Sequence, residues 1–192
     1  MKIDLTLEIS KEVLSSTLKK AINEDKAFGS IGHIGTHFDI MNKEFPLDYI
    51  NRIGKIFNVS HIRNSEISLK DINLNEIKEN HFIIFYTGYL KEMGYGTAEY
   101  LTDYPELSKE LIDYLINRKV SLIGIDSPGI KKSSEHRYID QYCADRNIFI
   151  VENINNLDLL WSEAKNNSFT MHTFPLNIRG ATGLTSRVIA EL

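Results

Sequence analysis

The densest set of chemically capable side chains in this 192-residue chain is His33-Ile34-Gly35-Thr36-His37-Phe38-Asp39. Side chains alternate faces along an extended strand, so His33, His37 and Asp39 are expected on one side. Gly35 falls on that same face and leaves space between the imidazoles. Two neutral imidazoles and a carboxylate suit zinc, manganese or iron, cations that accept mixed nitrogen and oxygen donors. Histidines four apart are also common, and a core histidine can simply hydrogen-bond a carbonyl. The spacing by itself leaves metal binding and a structural role both open.

Other reactive side chains are more scattered. His61 and His81 fall in strand-like or loop-like stretches without nearby acids, and a structural role is expected for each. The same holds for His172, placed on a strand before Phe174-Pro175. Cys143 sits in a helical pattern without a nucleophile motif and reads as a small buried apolar residue. Asp126 follows an apolar run and either supports a site or caps the next turn. Tyr86, Tyr89, Tyr95, Tyr100 and Trp161 are expected mainly in core packing.

Strands and helices must hold these groups in place. Ile3, Leu5, Leu7 and Ile9 alternate with polar residues and predict an N-terminal strand with one buried face. Lys11 to Asn23, with Val13, Leu14, Leu18, Ala21 and Ile22, predicts a helix. Short alternating segments between Asn58 and Ile72 suggest further strands. Phe82 to Tyr86, Val120 to Ile125 and Ile148 to Val151 are apolar runs expected as interior strands, the last leading directly into Glu152. Leu107, Leu111, Tyr114 and Leu115 share one face of a helix predicted over Pro105 to Arg118. Ser133 or Ser134 is the expected cap of a helix running to about Asp145. Helices alternating with apolar strands imply an α/β domain, and the chain, residues 1–192, reads as a single domain.

Composition narrows the function classes. The formal charge is −4 and no Lys/Arg-rich run appears, so nucleic acid is not an expected partner. One cysteine excludes an internal disulfide framework and a CxxC zinc site. The start Met1-Lys2-Ile3-Asp4-Leu5 lacks the features of a secretion signal, and no apolar run approaches the roughly 20 residues that span a bilayer. A soluble, cytoplasmic protein without membrane association is the expectation.

The segment HIGTHFD resembles the HxGTHxD signature of the cyclase family, which includes kynurenine formamidases and isatin hydrolases. Thr87-Gly88 after an apolar strand and Gly124-Ile125-Asp126-Ser127 follow in the same order. Ile150-Val151-Glu152-Asn153-Ile154-Asn155-Asn156-Leu157 is similar to that family's IVENLxNL segment, and Phe174-Pro175-Leu176 through Gly180-Ala181 to its LPLxIxGA ending. The likeness covers nearly the whole chain. It implies a mixed β-sheet or partly open barrel with flanking helices, of swivelling β/β/α type, and most simply a homodimer.

The resemblance also implies a site. His33 and His37 would hold one divalent metal, zinc before manganese; Asp39 could bridge two ions, and Glu152 would close the set. His136 is the expected distal ligand, although an ungapped count back from Glu152 reaches Asp140, one helical turn later. Asp140 as ligand would favour a harder ion such as manganese or magnesium, whereas His136 suits zinc. The expectation is His136 on the metal with Asp140 orienting its imidazole, the alternative being that both lie on a solvated helix face. After Asp39 the chain departs from the formamidases. Met41 replaces a proline, and Lys43 stands where their catalytic histidine would be, so Lys43 is either an acid–base or a surface residue. The implied activity is hydrolysis of a carbon–nitrogen bond in an amide, formamide or cyclic amide, with Glu152 or Lys43 handling the proton. N-formylkynurenine, and with it tryptophan catabolism, is an extrapolation from the resemblance. The rivals are a lactam or ester hydrolase on the same metal core and a non-catalytic protein that holds metal or a small ligand.

Overall fold

The computed structural model describes residues 1–23, 31–63, 65–132 and 134–192. In chain order the strands are β1 (Lys2–Asp4), β2 (His37–Asp39), β3 (Asn51–Asn58), β4 (Phe82–Tyr86), β5 (Leu122–Ile125), β6 (Phe149–Glu152), β7 (Phe169–Pro175) and β8 (Gly183–Glu191). The helices are α1 (Lys11–Asn23), α2 (Tyr89–Met93), α3 (Lys109–Asn117), α4 (His136–Ala144) and α5 (Leu157–Ala164), with short 3-10 turns between.

The sheet runs β8-β2-β6-β5-β4-β3-β7 and closes where β7 pairs β8, giving a seven-stranded mixed barrel. Strands β3 to β6 are mutually parallel; β2, β7 and β8 are antiparallel to their neighbours. β1 lies end to end with β2 along one edge of β8, opposite Ile189, Ala190 and Glu191. The expected mixed barrel is present, and the β7–β8 ladder closes it fully.

Both faces of β4, β5 and β6 are covered, so they read as continuous apolar runs rather than alternating ones. Phe38, Phe82, Ile84, Leu122, Phe149, Val151, Met171 and Val188 meet in one buried cluster inside the barrel. Ile83, Phe85, Ile123, Ile125 and Ile150 point outward against Leu111 and Leu115 of α3 and Ile139 and Cys143 of α4. Cys143 is buried there, as expected.

Several expectations shift. Among the described residues, Val59 to Ile72 forms no strand beyond the single bridge Ile67–Leu107; the strand, β3, lies upstream and ends at Asn58. Its sequence hid it: Asn51, Arg52 and Ile53 are not buried, and buried Lys55 is paired with Glu76. The helix expected from Pro105 begins only after Ser108, whose hydroxyl accepts from Leu111 N at 3.2 Å. α4 is entered through Glu135 rather than a serine cap, and the Ser133 candidate lies outside the described residues. α1 spans the expected residues, yet Leu14 and Ile22 are exposed, and the burial of Ala21 lies outside the described residues. The N-terminal strand is shorter than its alternation suggested.

Candidate metal centre

Register brings the candidate ligands together. β2 lies antiparallel between β6 and β8, with His37 opposite Glu152 and Asp39 opposite Ile150. Directly opposed residues share a face, so His37, Asp39 and Glu152 project to the outside of the barrel while Phe38 and Val151 point inward. α4 packs over that outer face and adds His136 and Asp140.

The resulting donors form two groups that share Asp39. His33, His37 and Asp39 make one; Asp39, His136, Asp140 and Glu152 make the other, and within each group the donor atoms lie within 4.8 Å of one another. His33 Nδ1 is 2.9 Å from Asp39 Oδ1, and His37 Nε2 is 3.7 Å from the same oxygen and 3.4 Å from Glu152 Oε2. His136 Nε2 is 3.0 Å from Asp140 Oδ2 and 3.3 Å from Glu152 Oε1. His37, Asp39, Asp140 and Glu152 are buried, whereas His33 and His136 are part-exposed and form the open side.

His33 reaches the cluster by another route than an extended strand. Residues 32–36 form a turn with Gly35 at φ +65°, and a Cβ there would meet the Ile9 side chain at 2.9 Å, so Gly35 serves the turn and opens no space between the imidazoles. The His33 ring lies over Gly183 of β8, where a Cβ would be 2.6 Å from Cε1, and Nε2 meets Thr182 Oγ1 at 2.9 Å. Gly129 does the same for the distal ligand, since its Cβ would sit 2.7 Å from His136 Cε1. Both glycines escape a sequence reading, because only the partner across the fold shows why a side chain is excluded.

The remaining nitrogens are held by supports. Gly35 O accepts from His37 Nδ1 at 2.8 Å and from Asn153 Nδ2 at 2.9 Å, which directs His37 Nε2 at the carboxylates. Asn153 is fixed in turn by the Tyr100 hydroxyl, which donates to Oδ1 at 2.6 Å, and Thr36 donates to its carbonyl at 2.7 Å. The Tyr95 hydroxyl accepts from Gly35 N at 2.9 Å. These two tyrosines, read as core residues, hold up the site.

The charges fit a cation. Asp39 Oδ2 and Glu152 Oε1 are buried and make no hydrogen bond. Burial, then the Asp39 charge, push Glu152 well above the usual carboxylate range, and the same two causes push Asp140 up to about 6. Burial alone would raise Asp39 as well, but the His37 and His33 imidazoles hold it well below that range. Burial is the largest cause holding His37 below the ordinary imidazole value. Burial would also lower His136, yet Asp140 and Glu152 overcome it and push it up to about 12. Crowded buried carboxylates beside imidazoles are what a divalent ion relieves.

Lys43 is the candidate that the fold does not bring in. The backbone turns at Ile40 to Lys43, and the Lys43 ammonium pairs with Asp145 at 2.7 Å, beyond the C-terminal end of α4. Among the described residues no ion pair joins it to the cluster. Asp126 caps the β4 turn, accepting from Thr87 N at 2.8 Å, Thr87 Oγ1 at 2.6 Å and Gly88 N at 2.7 Å. His172 is a surface bridge between Asn51 and Glu191, and the remaining histidines lie outside both ligand groups.

A family model described as "Putative cyclase" matches residues 3–132, a span that holds His33, His37 and Asp39 but ends before His136. No curated protein matches the sequence. A predicted metal-dependent hydrolase from Bacillus stearothermophilus is similar in structure, with TM-score 0.72 at 18% identity over 99% of this chain and 97% of that one. Isatin hydrolase A from Labrenzia aggregata, bound to benzyl benzoate, gives 0.70 at 20% identity over 84% and 73%. A potential metal-dependent hydrolase with cyclase activity gives 0.65 at 22% identity over 83% and 77%. At these identities the likeness shows a shared fold.

Proposed function

This chain belongs to the Cyclase family, and we propose that it is a metal-dependent hydrolase cleaving a carbon–nitrogen bond in an amide, formamide or cyclic amide. The observation that carries the reading is the buried cluster at the β2–β6 pair, in which Asp39 Oδ2 and Glu152 Oε1 are buried without a hydrogen bond. The names of the structural neighbours support hydrolysis, and isatin, named for one of them, is a cyclic amide.

His33, His37, Asp39, His136 and Glu152 would hold one or two divalent ions, Asp39 being the residue common to both donor groups. A bound divalent cation supplies Lewis acidity, polarising a carbonyl and making water nucleophilic at neutral pH. Glu152, set between His37 and His136, would take a proton from the attacking water and return it to the leaving nitrogen. Gly35 O keeps His37 in one tautomer throughout. Substrate would enter past His33 and His136, the part-exposed members. Lys43, engaged with Asp145, has no part in this scheme.

Turnover of formamide, lactam and ester panels by protein stripped with chelator and reloaded with zinc or manganese tests the proposal. Metal-dependent hydrolysis of at least one amide-type substrate is expected. Turnover confined to esters would move the assignment to the ester-hydrolase alternative, and retained metal with no turnover to a metal-holding protein. We also propose a homodimer, supported by exposed Leu47, Phe174 and Leu176 around one groove of about 570 Å³. Light scattering at micromolar concentration is the check, and a monomer mass refutes it. Among the described residues no helix is long and apolar enough to cross a membrane.

A further inference from the structure

We propose that Asp140 is itself a ligand of the metal, so that α4 presents two donors one turn apart and the centre carries three carboxylates. This rests on reading the cluster as a metal centre. A carboxylate that only orients a ligating histidine sits behind the ring, on the nitrogen turned away from the ion. Asp140 does not: its Oδ2 is 3.0 Å from His136 Nε2, the same nitrogen that lies 3.3 Å from Glu152 Oε1. The far nitrogen, Nδ1, already faces the Tyr104 hydroxyl at 3.3 Å. Tyr104 donates its own proton to the Lys131 carbonyl at 2.7 Å, leaving its oxygen to accept from Nδ1–H. Tyr104 is therefore the positioning residue, and Nε2 is left to point at Asp140 and Glu152.

Asp140 is 3% exposed, and among the described residues no lysine or arginine pairs with it. Its donor atom lies within 4.8 Å of those of Asp39, His136 and Glu152. Asp39 Oδ2 and Glu152 Oε1, the latter 3.3 Å from His136 Nε2, are buried without a hydrogen bond. A helix presents residues four apart on one face, so a small rotation of α4 is not needed to choose between His136 and Asp140; both already point in. The added carboxylate makes the donor set richer in oxygen, which raises manganese relative to zinc.

Chelator-stripped full-length protein is titrated separately with Mn²⁺ and Zn²⁺ against a competing chromophoric chelator, for wild type, Asp140→Asn, Asp140→His and Tyr104→Phe. Asp140→Asn is expected to weaken manganese by more than about 100-fold, beyond the roughly 10–100-fold that loss of a supporting partner costs. The zinc-over-manganese preference is expected to rise by at least about tenfold in Asp140→Asn and further in Asp140→His. Tyr104→Phe should weaken both ions alike, with the preference unchanged. An equal fall for both ions in Asp140→Asn, or no fall, overturns the assignment while leaving the metal centre standing. Wild type that binds neither ion overturns both. Should Asp140→Asn lose its circular-dichroism signature of folding, the preference in Asp140→His decides in the same way.

Discussion

Replacing Gly129 with alanine strikes the centre without touching a ligand. Gly129 has φ +153°, and an added Cβ would lie 2.7 Å from His136 Cε1, 2.8 Å from His136 Nδ1 and 3.2 Å from Glu152 Oε1. The backbone conformation costs an alanine about 1–3 kcal/mol. In a chain of this length that lowers Tm by roughly 2–12 °C. The ring contact is short of van der Waals separation by about 0.8 Å, so the imidazole must retreat by several times the ~0.2 Å tolerance of a metal–ligand bond. Metal affinity should therefore fall by at least about 10–100-fold, as for loss of a group that positions a ligand. Calorimetry on metal-free protein reads the first effect, and chelator competition with zinc and manganese reads the second. Gly96→Ala is the comparison: φ is +83°, but nothing lies within 4 Å of the added Cβ, so it carries backbone strain alone. Unchanged metal affinity in Gly129→Ala, or an equal loss in Gly96→Ala, would refute the view that Gly129 makes room for the distal ligand.

Metal binding should release at least one proton near neutral pH. Burial opposes charge on His136, but Asp140 and Glu152 outweigh it and hold the imidazole protonated up to about 12, and a ligand must be deprotonated. Affinity then rises about tenfold per pH unit per proton, and calorimetric titrations in buffers of different ionisation enthalpy measure the release; a pH-independent affinity contradicts it. In metal-free protein the raised His136 pKa contributes stability that is full below about 6.5 and is lost as pH rises toward 12. Tyr100→Phe leaves buried Asn153 Oδ1 without its donor and should cost about 1–3 kcal/mol in denaturant melts, while an unchanged midpoint removes Tyr100 from the support of His37. Lys43→Met should leave turnover within about twofold, because the ammonium is engaged with Asp145; a loss of roughly a hundredfold would restore Lys43 as an acid–base.

The candidate donors that the fold gathers were legible in the chain. His33, His37, Asp39, His136 and Glu152 are rare residue types in a recognisable order, and metal chemistry restricts donors to a few side chains. The apolar runs at Phe82, Leu122 and Phe149 also read correctly, because strands covered on both faces must be apolar throughout. β3 and β8 were not legible. β3 begins on surface-accessible residues and holds a paired lysine, and β8 buries Ser186 and Ala190 on one face while Ile189 lies on the other, so its alternation of burial is not an alternation of apolar and polar types.

Orientation was settled only by packing. His33 comes to Asp39 through a turn at Gly35 and over Gly183, residues far apart in the chain whose fit a one-dimensional spacing does not contain. Lys43 follows Asp39 by four positions yet is carried to Asp145 by a turn after β2. Asp140 was expected behind the His136 ring, but its Oδ2 lies 3.0 Å from Nε2, while the hydroxyl of Tyr104, 32 residues upstream of His136, lies 3.3 Å from Nδ1. Spacing along a strand or helix fixes only which face a residue shares; the direction of that face, and what stands opposite it, come from contacts between segments distant in sequence.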